Sequence, residues 1–192
     1  MLRRHGFQAG RYAVGYQSCD DATAQADWFS DVKCMANARA YAAAEQVVGV
    51  IGPYNSGCAQ WELPITNRAP TGPLPVISPA NTHPGLTRSA PSNLRPEEPG
   101  SLYPTGVRHY FRVIADDEVQ GTAAALLARR LGLKRVYLLD NLPGIWYTRM
   151  LKTGFETTAR KLGLGLAGAR SWEPGATSHA ALADRVARAR PD

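Results

Sequence analysis

The sequence predicts an α/β fold of parallel strands joined by crossover helices, and three observations carry that prediction. First, apolar, β-branched runs without polar alternation recur at residues 47–51 and 74–77, as strands of a parallel sheet buried on both faces require. Second, each run empties into a polar turn, and a helix-like stretch follows the first of them. Third, strand-like and helix-like segments alternate along most of the 192 residues, which is the pattern of βα units stacked side by side.

Taken in order, residues 12–16 (Tyr12-Ala13-Val14-Gly15-Tyr16) read as the opening strand, and 20–31 as a polar connection. Residues 33–45 are rich in alanine and place Cys34, Ala38, Tyr41 and Ala42 on one face, so they read as a helix. Strand 47–51 follows, then a helix over 58–68 that Pro64 can kink, then strand 74–77. Residues 89–105 hold Pro91, Pro96, Pro99, Pro104 and Gly100. Such a stretch is neither helix nor central strand, and it is expected to be a long, loose surface loop. Beyond it come a short strand at 110–113 and a helix over 117–131, with Leu126, Leu127 and Leu131 turned to the core and Gly132 as its C-cap. A strand at 135–139, a helix over 145–162 ended by Gly163, a strand at 164–171 and a helix over 177–190 capped by Thr177 or Ser178 complete the chain.

Composition narrows the function. An apolar content of 44 % suits a packed core in one ordinary domain or two small ones. No stretch approaches the ~18 apolar residues of a membrane helix. Met1-Leu2-Arg3-Arg4-His5-Gly6 is basic, but no apolar segment follows it, so no signal peptide is read here. The net charge of +6 is scattered, and Arg185, Arg188 and Arg190 share one helix face. Nucleic-acid binding would want a denser basic patch with interleaved aromatics. The cysteines Cys19, Cys34 and Cys58 form no CxxC and have no histidine at ligand spacing, so no metal site is expected. Cys34 and Cys58 each fall at the start of a helix. They are either paired or two buried free thiols.

The residues that carry chemistry sit where the strands end. The turn after strand 47–51 lies at a carboxyl end, where open α/β sheets bind ligands. Ser56 falls there at the start of a helix, and its hydroxyl with the free backbone N–H groups either holds a carboxylate or simply caps the helix. Ser78-Pro79-Ala80-Asn81-Thr82-His83-Pro84-Gly85 repeats the arrangement after strand 74–77. Two hydroxyl-bearing loops side by side make a shallow cup for a small anionic or zwitterionic molecule. Enzyme motifs are missing: there is no GxGxxG, no GxxxxGK[ST], and the spacing around Ser56 is not that of a G-x-S-x-G elbow. His5, His83, His109 and His179 sit in unrelated contexts with no evident acid partner. A hydrolase built on Ser56 and His83 is the enzymatic alternative. No catalytic residue and no cofactor are expected.

Ile51-Gly52-Pro53-Tyr54-Asn55-Ser56-Gly57 and Val76-Ile77-Ser78-Pro79-Ala80-Asn81-Thr82 resemble the type I periplasmic binding proteins, in the branched-chain amino-acid (Leu/Ile/Val) branch of the ABC-transporter substrate-binding proteins. Asp20-Asp21, Tyr110-Phe111-Arg112-Val113, Asp116-Asp117 with Gln120-Gly121, and Arg135-Val136-Tyr137-Leu138-Leu139-Asp140 follow in family order. The resemblance runs from near Tyr12 to the C-terminus. It implies two α/β lobes with the ligand between them. Residues 1–114 would be the first lobe, lacking its opening strand and helix, and 115–192 the start of a truncated second lobe, so the chain looks like a fragment.

The resemblance also implies a function. The chain would be the binding part of an extracytoplasmic solute-binding protein that captures a small amino acid or amide-like solute for an ABC importer, with a permease as partner. The parent protein would be periplasmic or anchored at the extracellular surface. The alternative is the same fold used as the sensing domain of a regulator or receptor. By resemblance, Ser56 holds the ligand carboxylate, with Tyr54 and Asn55 on the pocket wall; Asn55 otherwise serves the turn geometry. Ala80 through its backbone and Thr82 through its side chain hold the ammonium and carboxylate, with Asn81 between them able to face the ligand; Thr82 otherwise stabilises the turn. Tyr147 closes from the second lobe, with Trp146 as the alternative lid, or both pack at a helix start. Asp117 is either a carboxylate near the ligand or the cap of the following helix, and the cap is the favoured reading. Some relatives carry a disulfide in the neighbourhood of Cys34 and Cys58.

Overall fold

The computed structural model describes residues 2–25, 28–90, 93, 95–140, 146–173 and 175–192. The chain opens with a short hairpin of β1 (Gln8–Ala9) and β2 (Tyr12–Ala13), paired antiparallel with Ala9 opposite Tyr12. Gly10 sits between them at φ +60°, as the first central position of a type II′ turn demands. This corrects the expectation that residues 12–16 open the parallel sheet. The two-residue turn offers Tyr12 a nearer partner than any strand of the sheet.

Helix α1 (Asp31–Ala43), strand β3 (Val50–Ile51), helix α2 (Ser56–Thr66), strand β4 (Val76–Ser78) and strand β5 (Tyr110–Arg112) then build a three-stranded parallel sheet in the order β3-β4-β5. Ser30 caps α1 by accepting the Lys33 N–H. Val50 lies opposite Val76, and Val76 opposite Tyr110. One face is packed: Ala59 and Leu63 of α2 meet Val76, Tyr110, Leu86, Leu102 and Tyr103 in a buried cluster. The other face is bare. Ile51, Ile77 and Phe111 stand in one row across the three strands, with Ile51 76 % and Phe111 55 % exposed. The Val/Ile run predicted burial on both faces. Among the described residues, only the α2 side has helical cover.

Leu102, Tyr103 and Glu98 are buried, so residues 95–105 are not the loose loop that the prolines of 89–105 predicted; residues 91, 92 and 94 of that stretch lie outside the described residues. The part from 95 onward folds back as a lid on the α2 face, with the Tyr103 hydroxyl donating to the Leu86 carbonyl.

Helix α3 (Asp117–Arg130), strand β6 (Arg135–Asp140), helix α4 (Trp146–Lys161), strand β7 (Gly165–Ser171) and helix α5 (Ala180–Ala189) follow, and β6 pairs with β7 in parallel. Arg185, Arg188 and Arg190 are exposed on and just after α5. Both α3 and α4 end in the same motif. The Leu133 N–H bonds to Ala128 O and the Gly132 N–H to Arg129 O; Leu164 bonds to Ala159 and Gly163 to Arg160. These are Schellman closures around glycines at φ +82° and +67°.

The α3 core face is not the leucine face that the sequence predicted. Leu126, Leu127 and Leu131 are exposed, whereas Gly121, Ala125 and Ala128 are buried. Small residues at this helical spacing let two backbones approach closely. A Cβ placed on Gly121 would fall on the Leu151 carbonyl, and one on Gly154 on the Glu118 carbonyl. Gly121→Ala is therefore expected to cost about 2 kcal/mol by overpacking, a fall in Tm of roughly 4–8 °C for a chain of this length. An unchanged Tm would show that α3 and α4 can slide apart freely.

Candidate functional site

The loops after β3 and β4 lie side by side because their strands are parallel neighbours. Buried polar side chains staple them together. The Ser78 hydroxyl donates to Pro53 O at 2.8 Å and accepts the N–H groups of Ala80 and Asn81 at 3.2 and 3.0 Å. The Asn81 amide donates to Pro53 O and Tyr54 O at 3.0 and 2.9 Å, and its oxygen accepts from the Tyr110 hydroxyl at 3.0 Å. Asn81 is fully buried. Its amide hydrogens are both committed to the loops, so this side chain fastens the loops together.

Ser56 is the first residue of α2, and its oxygen accepts the N–H groups of Thr82 and His83 at 3.1 and 3.3 Å. Those two bonds use its lone pairs and leave its proton to donate. Asn55 stands at the N-cap of α2 but makes no side-chain cap; its amide donates to Trp28 O at 3.3 Å. Ala80 and Thr82 are half-buried, while Tyr54 is 73 % exposed.

Asp117 is the deciding residue. The side-chain cap of α3 is Asp116, whose Oδ1 accepts the Val119 N–H at 3.0 Å. This corrects the reading of Asp117 as the cap: one residue of register separates them, and the Asp-Asp pair does not reveal it. The Asp117 N–H bonds to Thr82 O at 3.0 Å, which sets its side chain beside the β4 loop. It is fully buried, and neither carboxylate oxygen has a hydrogen-bond partner. Burial pushes its carboxyl up to about 6, against a smaller downward pull from the Thr82 hydroxyl and the charges of His83 and Arg112. Tyr147 lies close enough to sense both Asp117 and Tyr54; burial first, then these two neighbours, raise its phenol. The Trp146 side chain lies outside the described residues.

Among solved structures, the chain is similar to an ABC transporter substrate-binding protein from Desulfitobacterium hafniense in complex with Leu, at 22 % identity and TM-score 0.70 over 97 % of this chain and 48 % of that one. It is similar to a solute-binding protein of an ABC transporter from R. palustris in complex with 4-hydroxybenzoate, at 16 % identity and TM-score 0.71 over 99 % and 44 %. It is also similar to the branched-chain amino acid transporter substrate-binding protein LivJ from Streptococcus pneumoniae with isoleucine, at 17 % identity and TM-score 0.64 over 97 % and 45 %. The chain has the type I periplasmic binding fold. It spans about half the length of these structures. No family model matches the sequence, and no curated protein matches it.

Within this periplasmic-binding fold, several polar residues escaped the sequence reading. His83 has an acid partner after all: its Nε2 lies 2.6 Å from Glu98, and its Nδ1 lies 3.4 Å from the Met150 sulfur. Gln60 donates to the other Glu98 oxygen at 2.6 Å. The Ser56 oxygen meets the His83 backbone, while the two ring nitrogens meet Glu98 and Met150. His109 is held by Thr66 at Nε2 and by the Asn67 amide at Nδ1, at 3.0 and 2.9 Å, and burial lowers its pKa. Arg88 grips Asp116 through two nitrogens at 2.9 and 3.1 Å and reaches Glu118 at 3.0 Å, tying the start of α3 to the β4 loop. These partners lie 15 or more residues apart, and no local spacing signals them.

Proposed function

We propose that this chain is the binding part of an extracytoplasmic solute-binding protein that captures a small amino acid or amide-like solute for an ABC importer. On this reading, residues 1–114 and 115–192 belong to two lobes, the parent protein works in the periplasm or at the extracellular surface, and a permease is its partner. Among the described residues, no helix is long and apolar enough to cross a membrane.

One observation carries the choice of ligand. A buried carboxylate with two unpaired oxygens, Asp117, lies against Thr82 at the carboxyl ends of the strands. A buried carboxylate with neither oxygen hydrogen-bonded is costly; the Thr82 hydroxyl and the charges of His83 and Arg112 offset only part of the burial, and a ligand ammonium would relieve the rest. The Ser56 hydroxyl, Ala80 and Thr82 suit the carboxylate of the same molecule, and Tyr54 with Tyr147 supplies aromatic walls. Some solved structures of this fold hold benzoates. An aromatic acid brings a second negative charge to Asp117 and nothing to neutralise it, so an amine-bearing solute is the better fit.

The test is thermal unfolding with millimolar leucine, isoleucine, valine, polar amino acids, benzoate and 4-methylpentanoate, the last being leucine without its amine. A ligand at 100 times its Kd adds about 2.7 kcal/mol to the folded state. At least one amino acid is expected to raise Tm, and the two plain acids are expected to leave it unchanged. A shift with the acids alone, or with no solute in the panel, would overturn the proposal.

A further inference from the structure

The disulfide joins α1 to α2: Cys34 and Cys58 are bonded with their Cα atoms 5.5 Å apart, and both residues are fully buried. One carboxylate approaches both sulfurs and a second approaches that of Cys58. A carboxylate oxygen of Asp21 and both sulfurs all lie within 4.8 Å of one another. Glu62, one helical turn beyond Cys58, brings Oε1 to 3.5 Å from the Cys58 sulfur. Its Oε2 is buried without any hydrogen-bond partner, and the residue is 2 % exposed. This acid faces the Cys58 sulfur with one oxygen left without a hydrogen bond.

We propose that reduction of Cys34–Cys58 converts this cluster into a four-ligand site for a soft divalent cation, zinc(II) in the first instance, held by the sulfurs of Cys34 and Cys58 and one oxygen each of Asp21 and Glu62. Zinc takes four ligands from thiolate sulfur and carboxylate oxygen in tetrahedral array, and thiolates select soft ions over magnesium or calcium. Four anionic groups leave ample charge for one dication, which the oxidised cluster lacks. Burial pushes the Glu62 carboxyl up to about 8, and the negative charge of Asp21 adds to the effect. Asp21 is only half-buried, whereas Cys34, Cys58 and Glu62 are buried. The sequence spacing does not reveal the set, because the ligands come from one loop and two helices.

The redox step is a two-electron reduction. A phosphine or thiol reductant breaks the S–S bond; the sulfurs take two electrons and two protons and become thiols. The phosphine is oxidised to its oxide with the oxygen of water, or the thiol to its disulfide. Metal binding then displaces to solvent the two thiol protons and, below about pH 8, the proton that the buried Glu62 carboxyl holds. The disulfide and the metal are thus alternative fastenings of the same two helices.

The test uses the full chain, reduced with a phosphine under anaerobic conditions and titrated with Co²⁺ as a spectroscopic stand-in for zinc. A thiolate-to-cobalt charge-transfer band saturating at one equivalent is expected in the reduced protein and not in the oxidised one. Glu62→Gln and Asp21→Asn should still form the disulfide when oxidised, and each should weaken cobalt binding by about ten-fold or more. Absence of the band in reduced protein would overturn the site. Unchanged affinity in both variants would overturn the part assigned to the carboxylates. Should reduction unfold the chain, Zn²⁺ is expected to restore a cooperative melting transition, and failure to restore it counts equally against the proposal.

Discussion

Asp117→Asn is expected to make the ligand-free protein more stable above pH 6 and to remove its response to amino acids. The carboxyl is buried with both oxygens unpaired, and burial raises it from 3.8 to about 6. A carboxyl raised in the folded state holds its proton more tightly there than in the unfolded chain. Its stabilising contribution is fully present below pH 4 and is lost as the pH rises through about 6. The loss amounts to about 3 kcal/mol. Asparagine keeps the shape and carries no charge, so at pH 8 the variant should gain up to about 3 kcal/mol, a rise in Tm of roughly 6–12 °C. The same exchange deletes the group proposed to hold the ligand ammonium. In the wild type, amino-acid affinity should fall as the pH drops below about 6, because the protonated acid no longer attracts a cation. Melting curves at pH 5 and 8, with and without ligand, test both parts. A variant that binds as well as the wild type would remove Asp117 from the site, and one that is less stable at pH 8 would show the carboxylate to be paired.

The larger pH effect comes from Glu62, on α2. Its carboxyl is buried on α2, one oxygen has no partner, and it rises from 4.5 to about 8. The sign is the same as for Asp117: the stabilising contribution is complete below pH 4.5 and disappears as the pH rises through about 8. The span corresponds to about 5 kcal/mol. That is a large share of the 5–15 kcal/mol by which domains are ordinarily stable. Urea midpoints of the oxidised protein between pH 5 and 9 should fall steeply, and Glu62→Gln should flatten the curve. Parallel curves for the two proteins would mean that another group carries the dependence.

Much of the fold could be read because it follows from local chemistry. The apolar runs near Val50, Val76 and Val136 became strands, the alanine-rich stretch around Ala38 became a helix, and Gly132 and Gly163 close α3 and α4. The failures were tertiary. Leu126, Leu127 and Leu131 suggested a broad apolar face, yet α3 turns its glycine and alanines inward because α4 offers Gly154 in return. The proline-rich stretch seemed loose because proline removes backbone donors. It is held by side chains instead: Glu98 against His83, and Leu102 and Tyr103 in the core. At the site, the placement of Ser56 and Thr82 on adjacent loops followed from their position after two strands. Neither the use of Asn81 as a staple nor the one-residue distinction between Asp116 and Asp117 has a signature in the sequence: Asn81 answers to carbonyls of the neighbouring loop, and two adjacent aspartates are equally able to cap until the helix register is set.

The stapling of the two loops has a kinetic meaning. Ser78, Asn81 and Ser56 fasten residues 53–56 to residues 78–83 in the ligand-free chain. The conformational freedom of that backbone is lost when the protein folds and is not lost again when a solute arrives. A cup preorganised in this way spares association the ordering cost that a floppy loop imposes. On the proposed reading, association of a small solute with these loops should then run at a rate set by diffusion and desolvation, without a slow rearrangement of the loops before contact.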